Sequence, residues 1–495
     1  MGVGDRLAEY RAMREEAERM VLPLATSVDG RRFAFQASLH DLTLQAGGYV
    51  VLDGGRLGQI LTVRLTTMDS AERGASGSSV RIRAAQGEGI ILDGDFRPFH
   101  DAAVRAARPA DVGDWLERVR PGRATLDIGG QLLAEAVPAR LDAGGFDRHT
   151  FLCGQSGSGK TYSLGLILER LLVETGLRLV ILDPNSDYVR LGEARAGIDG
   201  DLAARYADVA GEVAVRRADG GKDRIRLRFG ELDPATRAAL LHLDPIADRE
   251  EYSALSTLLE QSERGRALIT GLDDLLTADL PGARELGLRA ANLGVLDWSI
   301  WARDDPGSLV EELERGDTRC MVVDLGSLET QQEQAVVAEA VLATLWRLRA
   351  RREPVLVVID EAHNVCPSDP EDAVIGLAAH HVVRIAAEGR KFGLYLLLST
   401  QRPQKVQENA LSQCDNLLLM RMNSAADLEY LRAVFSFVPD GLLERASTFR
   451  LGEALVAGKL VSHAGYVRFG ARLAEEGGAD VPTSWAAAAV DFKQP

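Results

Sequence analysis

The sequence predicts an α/β fold built on a parallel sheet, with a small antiparallel β-barrel ahead of it and a helical insertion within its strand order. Three observations carry this. A glycine-rich octapeptide, "GQSGSGKT" at 154–161, sits between an apolar run and a helical pattern. Ahead of it, from about 30 to 135, come short β-rich runs separated by Gly and Asp turns. Between about 232 and 316 the strand-like runs stop and helical patterns replace them.

Residues 3–21 place Leu7, Tyr10, Met13, Ala17 and Met20 on one helical stripe. Such a helix is expected to dock on its own barrel or, less commonly, on a partner. The barrel is read from "RRFAFQA", "GGYVVLDGG", "GQILTVRL", "VRIRAAQG" and "GEGIILDG", with "ERGASGSS" at 72–79 as a loop within it. "RPFHDAAVRAARPADVGDWLERVRPG" reads as helical linker, so residues 1–135 form the N-terminal part. The core is expected over 136–474. It opens with a strand at 151–153, a helix at 161–175 and the strand "RLVILD" to Asp183, the rhythm of a βαβ unit. "PATRAALLHL", "EEYSALSTLLEQSE", "RALITGLDDLLTADL" and "SLVEELERG" make the helical insertion. Strands return at "RCMVVDLGSL", "PVLVVIDE", "LYLLLSTQRP" and "NLLLMRM", and "EALVAG" and "AGYVRFG" close the core. Residues 475–495 read as a C-terminal arm.

The octapeptide matches G-x-x-x-x-G-K-[ST] in the strand, loop, helix context that the motif requires. Gly154, Gly157 and Gly159 let backbone N–H groups turn inward around phosphate oxygens, with Ser156 and Ser158 between them, and the following helix adds the positive end of its dipole. Lys160 is placed to reach the β- and γ-phosphates of ATP, and the Thr161 hydroxyl to bind Mg²⁺. "VLVVIDEAH" is an apolar strand ending in two acids. Asp360 is placed for the Mg²⁺ shell, and Glu361, pointing differently, to polarise an attacking water. In "LLLSTQRP", Gln401 leaves the next strand, where it contacts the γ-phosphate or the water, or is simply a polar residue at a strand end. Asp183 and Asp187 of "LDPNSDY" either position metal or water or cap their own loop.

Composition excludes several classes. No apolar run approaches the roughly 18 residues of a membrane span, and the charged N-terminus is not a secretory signal, so no membrane association and a cytoplasmic protein are expected. Cys153, Cys320, Cys366 and Cys414 lack metal or disulfide spacing and read as buried apolar residues. With 57 basic and 73 acidic residues the net charge is −16, against a simple nucleic-acid binder unless basic side chains are concentrated in one place. The segment "KDRIRLRFG" at 222–230 alternates Arg224, Arg226 and Arg228 with apolar residues. It reads first as a solvated strand face, with DNA or a partner as the alternative.

The order G-Q-S-G-S-G-K-T, D-P-N-S-D-Y, helical insertion, V-V-I-D-E-A-H, E-G-R-K-F-G and S-T-Q-R-P resembles the HerA branch of the HerA/FtsK ATPases, over most of the chain. The resemblance implies a RecA-like P-loop ATPase core, a barrel ahead of it, and a homo-hexameric ring that translocates on double-stranded DNA as a helicase-like motor. It also implies a separate partner, a nuclease or a Sir2-like or other antiviral defence effector, because no effector domain is visible in the sequence. Lys160, Thr161, Asp360, Glu361 and Gln401 take the roles already given. A reading from another class is a nucleotide-gated hexameric scaffold that assembles and activates an effector without processive translocation.

Arg148 precedes the strand whose other end carries the phosphate loop. Six steps at roughly 3.3 Å each put it up to about 20 Å from that loop. It is either an ordinary charge at the start of a strand or an arginine finger for a neighbouring subunit's phosphate. A comparable arginine precedes the loop in the motors that the chain resembles, and Arg390 of "EGRKFG" is a second candidate.

Overall fold

The computed structural model describes residues 3–39, 43–69, 81–94, 96–119, 124–198, 200–261, 279–302 and 307–477. The expected loop at 72–79 lies outside them, and the expected helix at 266–280 and the arm from 475 lie largely outside them. The chain divides into two units, one of residues up to 177 with 346–471, the other of 178–345 with residues from 472.

The first unit begins with helix α1 (Val3–Arg19). Its apolar stripe was expected to dock on the chain, but Leu7, Tyr10, Met13 and Met20 are exposed. A polar contact links the helix to the strand Arg81–Ile91: Glu18 is buried and accepts from the Arg83 N–H at 3.2 Å, while Arg14 of the same helix donates to it from Nε at 2.9 Å.

Six strands follow: β1 (Leu24–Ser27), β2 (Arg32–Ser38), β3 (Tyr49–Leu52), β4 (Arg56–Asp69), β5 (Arg81–Ile91) and β6 (Phe99–Ala106). They pair antiparallel in the order β1-β2-β5-β4-β3-β6, and β6 closes the ring onto β1. Alternation sets the faces: Phe33, Phe35 and Ala37 of β2 point inward against Val50, Leu52, Ile60 and Val104. Residues 99–106, expected as helical linker, are strand β6. Ala102 and Val104 are buried between exposed neighbours, a period of two, and β1 and β3 hydrogen-bond to its two edges. The rest of the linker forms helix α2 (Pro109–Val119), which buries Val112, Trp115 and Leu116.

The remaining strands are β7 (Thr125–Gln131), β8 (Pro138–Asp142), β9 (His149–Cys153), β10 (Arg178–Asp183), β11 (Val213–Arg216), β12 (Cys320–Asp324), β13 (Val355–Ile359), β14 (Leu394–Thr400), β15 (Cys414–Leu419), β16 (Glu453–Gly458) and β17 (Gly465–Phe469). In the first unit the order is β13-β14-β9-β15-β16-β17-β7-β8. The first four are parallel and the rest antiparallel. Every residue of β9 and β13 is buried, which explains the unbroken apolar run of β13 and the apolar Phe151–Cys153 half of β9. The expected boundary at 135 falls inside the β7–β8 hairpin, because β7 pairs with β17 and belongs to the large sheet.

In the second unit β11, β12 and β10 run parallel in that order. The expected insertion is helical in its described parts, at Pro234–Leu240, Arg249–Gln261, Ala283–Asn292 and Leu309–Arg315. "KDRIRLRFG" is not a strand: it makes only isolated bridges, Arg217 to Arg224 and Leu227 to Trp301. Its alternation survives in Ile225, Leu227 and Phe229, all buried. Arg228 leaves the basic face, buried with Glu231 at 2.7 Å and Glu311 at 2.6 Å.

Candidate active site

Strand β9 delivers the chain to the phosphate loop, and helix α3 (Lys160–Glu174) leaves it. Gly157 and Gly159 have φ of 69° and 94°, a region that costs a side-chain-bearing residue and lets the loop curl. Bonds to Arg421, just beyond the end of β15, hold the loop: the Gln155 N–H donates to the Arg421 carbonyl at 2.9 Å, and the Arg421 side-chain Nη2 donates to the Gly157 carbonyl at 2.9 Å. The Gly452 N–H donates to the Ser158 carbonyl at 3.0 Å. Ser158 Oγ is buried with no hydrogen-bond partner among the described residues, a group that a bound phosphate oxygen would satisfy.

Below the loop the predicted residues converge. Lys160 Nζ lies 2.6 Å from Asp360 Oδ1, 3.1 Å from Glu361 Oε1 and 3.2 Å from Ser399 Oγ. Gln401 Nε2 donates to Glu361 Oε1 at 2.9 Å. His363 Nδ1 is 3.3 Å from Glu361 Oε2 and 3.0 Å from Thr400 Oγ1. Burial disfavours the charge on Lys160, but Asp360 and Glu361 outweigh it and raise its pKa. Burial would likewise raise Glu361, yet His363, Lys160 and Gln401 hold it down at about 2. Both charges are therefore kept, each by the other.

Glu361 has φ of 42°, left-handed backbone that costs a non-glycine residue of order 1–3 kcal/mol. Its N–H donates to Asp360 Oδ1 at 2.9 Å, and the next N–H, of Ala362, donates to the Ser399 carbonyl at 2.8 Å. The turn sends two adjacent carboxylates to one ammonium rather than to opposite faces of the strand.

Arg148 and Arg390 are not in this cluster. Arg148 precedes β9 and Arg390 precedes β14, so both sit at the strand ends away from the loop, where each meets Asp415 Oδ2, at 3.4 and 3.2 Å. His149 beside them is buried and its pKa falls to about 4, through burial first and then the two arginines. In the second unit, Asp183 accepts from the N–H groups of Asn185, Asp187 and Tyr188 at 3.3, 3.0 and 2.8 Å, the loop-capping arrangement. Burial, with Asp187 and Asp324 adding to it, raises its pKa to about 7. All four cysteines are buried and free. No helix among the described residues is long and apolar enough to cross a membrane.

The sequence reading did not single out Arg421, His363 or Asp415. His363 carried a signal, two residues beyond Glu361. Arg421 and Asp415 carried none, because their partners are 264, 267 and 25 positions away.

Residues 126–281 match the family described as "Helicase HerA, central domain". The chain is 26% identical over 407 residues to the DNA double-strand break repair helicase HerA of Pyrococcus furiosus, covering 70% of each. It is 24% identical over 408 residues to a probable helicase of Methanocaldococcus jannaschii, covering 75% of this chain and 74% of that one. A shorter match, 32% identical over 163 residues, links it to HerA of Sulfurisphaera tokodaii, 31% of this chain and 32% of that one. Residues 126–281 thus match the HerA central domain, the chain is similar over most of its length to HerA helicases, and it is an ATP-hydrolysing P-loop enzyme.

Proposed function

We propose that the chain is the motor of a homo-hexameric ring that hydrolyses ATP to move on or thread double-stranded DNA, working with a separate nuclease or defence effector in the cytoplasm. The observation that carries it is the separation of the two halves of one catalytic set. Lys160, Glu361 and Gln401 lie under the phosphate loop, whereas Arg148 and Arg390 lie at the far ends of strands β9 and β14. Arginines so placed serve a phosphate only on another subunit, which a ring supplies at every interface. In this reading the β13-β14-β9-β15 sheet is the RecA-like core of a domain over 136–474, and the six-stranded ring is the barrel that precedes it.

The contacts among these residues suggest how they work. Lys160 transfers its charge from Asp360 and Glu361 to the β- and γ-phosphates, and the N–H groups between Gly154 and Thr161, with Ser156 and Ser158, cradle them. Glu361, released from Lys160, polarises the attacking water, and Gln401, already bonded to Glu361, orients it. Asp360 and Thr161 offer hard oxygen donors that fit Mg²⁺, which supplies charge neutralisation at the phosphates when bound. His363 Nδ1 lies between Glu361 Oε2 and Thr400 Oγ1, and the Thr400 carbonyl accepts the Gly154 N–H at 3.4 Å, so the acid and the loop both adjoin the end of strand β14.

The test is ATPase activity of the full chain with and without duplex DNA, beside its assembly state by mass photometry. Stimulation by duplex DNA alone supports the motor. Stimulation only by a co-purified effector favours the nucleotide-gated scaffold, and a monomer at working concentration sinks the ring.

A further inference from the structure

The second unit holds a recess of about 670 Å³, within the size range of ligand sites. Three guanidinium-bearing residues line it, Arg217, Arg224 and Arg226, with Ser299, Asp219 and Glu329. Arg217 directly follows strand β11, and Glu329 follows strand β12 by five residues. The recess thus opens at the carboxyl ends of two adjacent parallel strands, where open α/β sheets bind ligands.

The three arginines are not equivalent. Arg217 Nε is 3.2 Å from Asp324 Oδ2 and 3.5 Å from Asp219 Oδ1, so its charge is largely matched. Arg226 Nη2 donates to the Gly221 carbonyl at 2.8 Å, which fixes its fork. Arg224 pairs with no carboxylate among the described residues, and its Nε–H is buried with no acceptor there. An unsatisfied buried donor costs roughly 1–3 kcal/mol, more when charged, and invites a ligand that supplies an acceptor. The buried Ile225 and Leu227 anchor this segment while Arg224 and Arg226 face the recess from either side of Ile225. Packing thus aims these two guanidiniums into the recess, beside the carboxylates of Asp219 and Glu329.

We propose that this recess binds phosphate esters, with Arg224 and Arg226 as the contacting residues and Arg217, held by its aspartates, as the wall. A planar guanidinium fork matches two phosphate oxygens, and two forks one residue apart on each side of Ile225 suit successive phosphates of a strand or the two of a diphosphate. The source of the phosphate is the duplex DNA backbone, an assignment that rests on the DNA reading above; the alternative source is a free polyphosphate.

The test uses the full chain and a fluorescein-labelled DNA duplex, with affinity measured across salt concentrations. Two phosphate contacts contribute about 2 to the slope of log affinity against log salt. The Arg224→Ala/Arg226→Ala variant is expected to lose that much of the slope, and Arg224→Lys/Arg226→Lys to retain it at lower affinity. If the alanine variant fails to fold, as judged by its melting curve, Arg224→Gln alone is expected to lose about half as much. DNA binding with an unchanged slope in the folded variants overturns the recess and leaves the DNA reading standing. If the wild-type chain binds no DNA, that reading fails, and pyrophosphate decides the recess. Its binding by Lys160→Ala protein, with the phosphate loop disabled, is then expected to vanish when Arg224→Ala and Arg226→Ala are added; unaltered binding, or none at all, overturns the proposal.

Discussion

Arg148 and Arg390 share one carboxylate oxygen, Oδ2 of Asp415, although 242 positions separate them in the chain. Arg148 also meets Asp147 Oδ2 at 3.5 Å, so two guanidiniums face two carboxylates at the strand ends away from the phosphate loop. The pair is held in cis by partly exposed contacts of 3.2 to 3.5 Å, weak enough for a neighbouring subunit's phosphate to compete for it.

Arg148→Ala protein is therefore expected to assemble and bind ATP but to hydrolyse it some 10³-fold or more slowly, the scale of a lost arginine finger. Mixing it with Lys160→Ala protein should restore part of the activity, since some interfaces then join an intact loop to an intact arginine. No recovery despite demonstrated subunit exchange would count against action in trans.

Lys160→Ala and Glu361→Gln should separate. The first removes the charge that compensates the phosphates, and leaves Asp360 and Glu361 buried without their ammonium, so both nucleotide affinity and melting temperature should fall. The second should bind ATP and not turn it over. Near-wild-type hydrolysis by Glu361→Gln in a single-turnover assay would show that another group activates the water.

Glu361 has its folded-state pKa depressed to about 2 from an ordinary 4.5. A depressed carboxylate contributes stability that is present above its unfolded pKa and is lost as pH falls through the folded one. Urea midpoints of the wild type should therefore drop more steeply than those of Glu361→Gln between pH 4.5 and 2. Parallel curves would mean that the Lys160, His363 and Gln401 contacts do not favour the ionised form.

Arg421→Ala should weaken nucleotide binding about tenfold with little change in melting temperature, because one charge-assisted bond to the Gly157 carbonyl, of the order of 1.5 kcal/mol, positions the loop from a half-buried side chain. Arg421→Lys should recover only part of the affinity, since an ammonium lacks the fork. Isothermal titration with a non-hydrolysable ATP analogue measures both.

The sequence by itself determined the features whose cause is local. The phosphate loop is legible because glycine spacing, Lys160 and the onset of helix α3 are contiguous, and β13 and the 151–153 part of β9 because doubly covered strands need apolar runs. The candidate acid pair Asp360 and Glu361 follows from the same strand. What only the tertiary structure decided depends on closure over distance. The stretch 99–106 became a strand because two ring edges needed pairing, a demand invisible in its own composition. Arg228 left the basic face because Glu311, 83 residues on, offered it a buried partner, while Arg224, with no carboxylate partner among the described residues, lines the recess. The meeting of Arg148 with Arg390 at Asp415 required strands β9, β14 and β15 to lie side by side in parallel register, which is a property of the sheet and not of any segment.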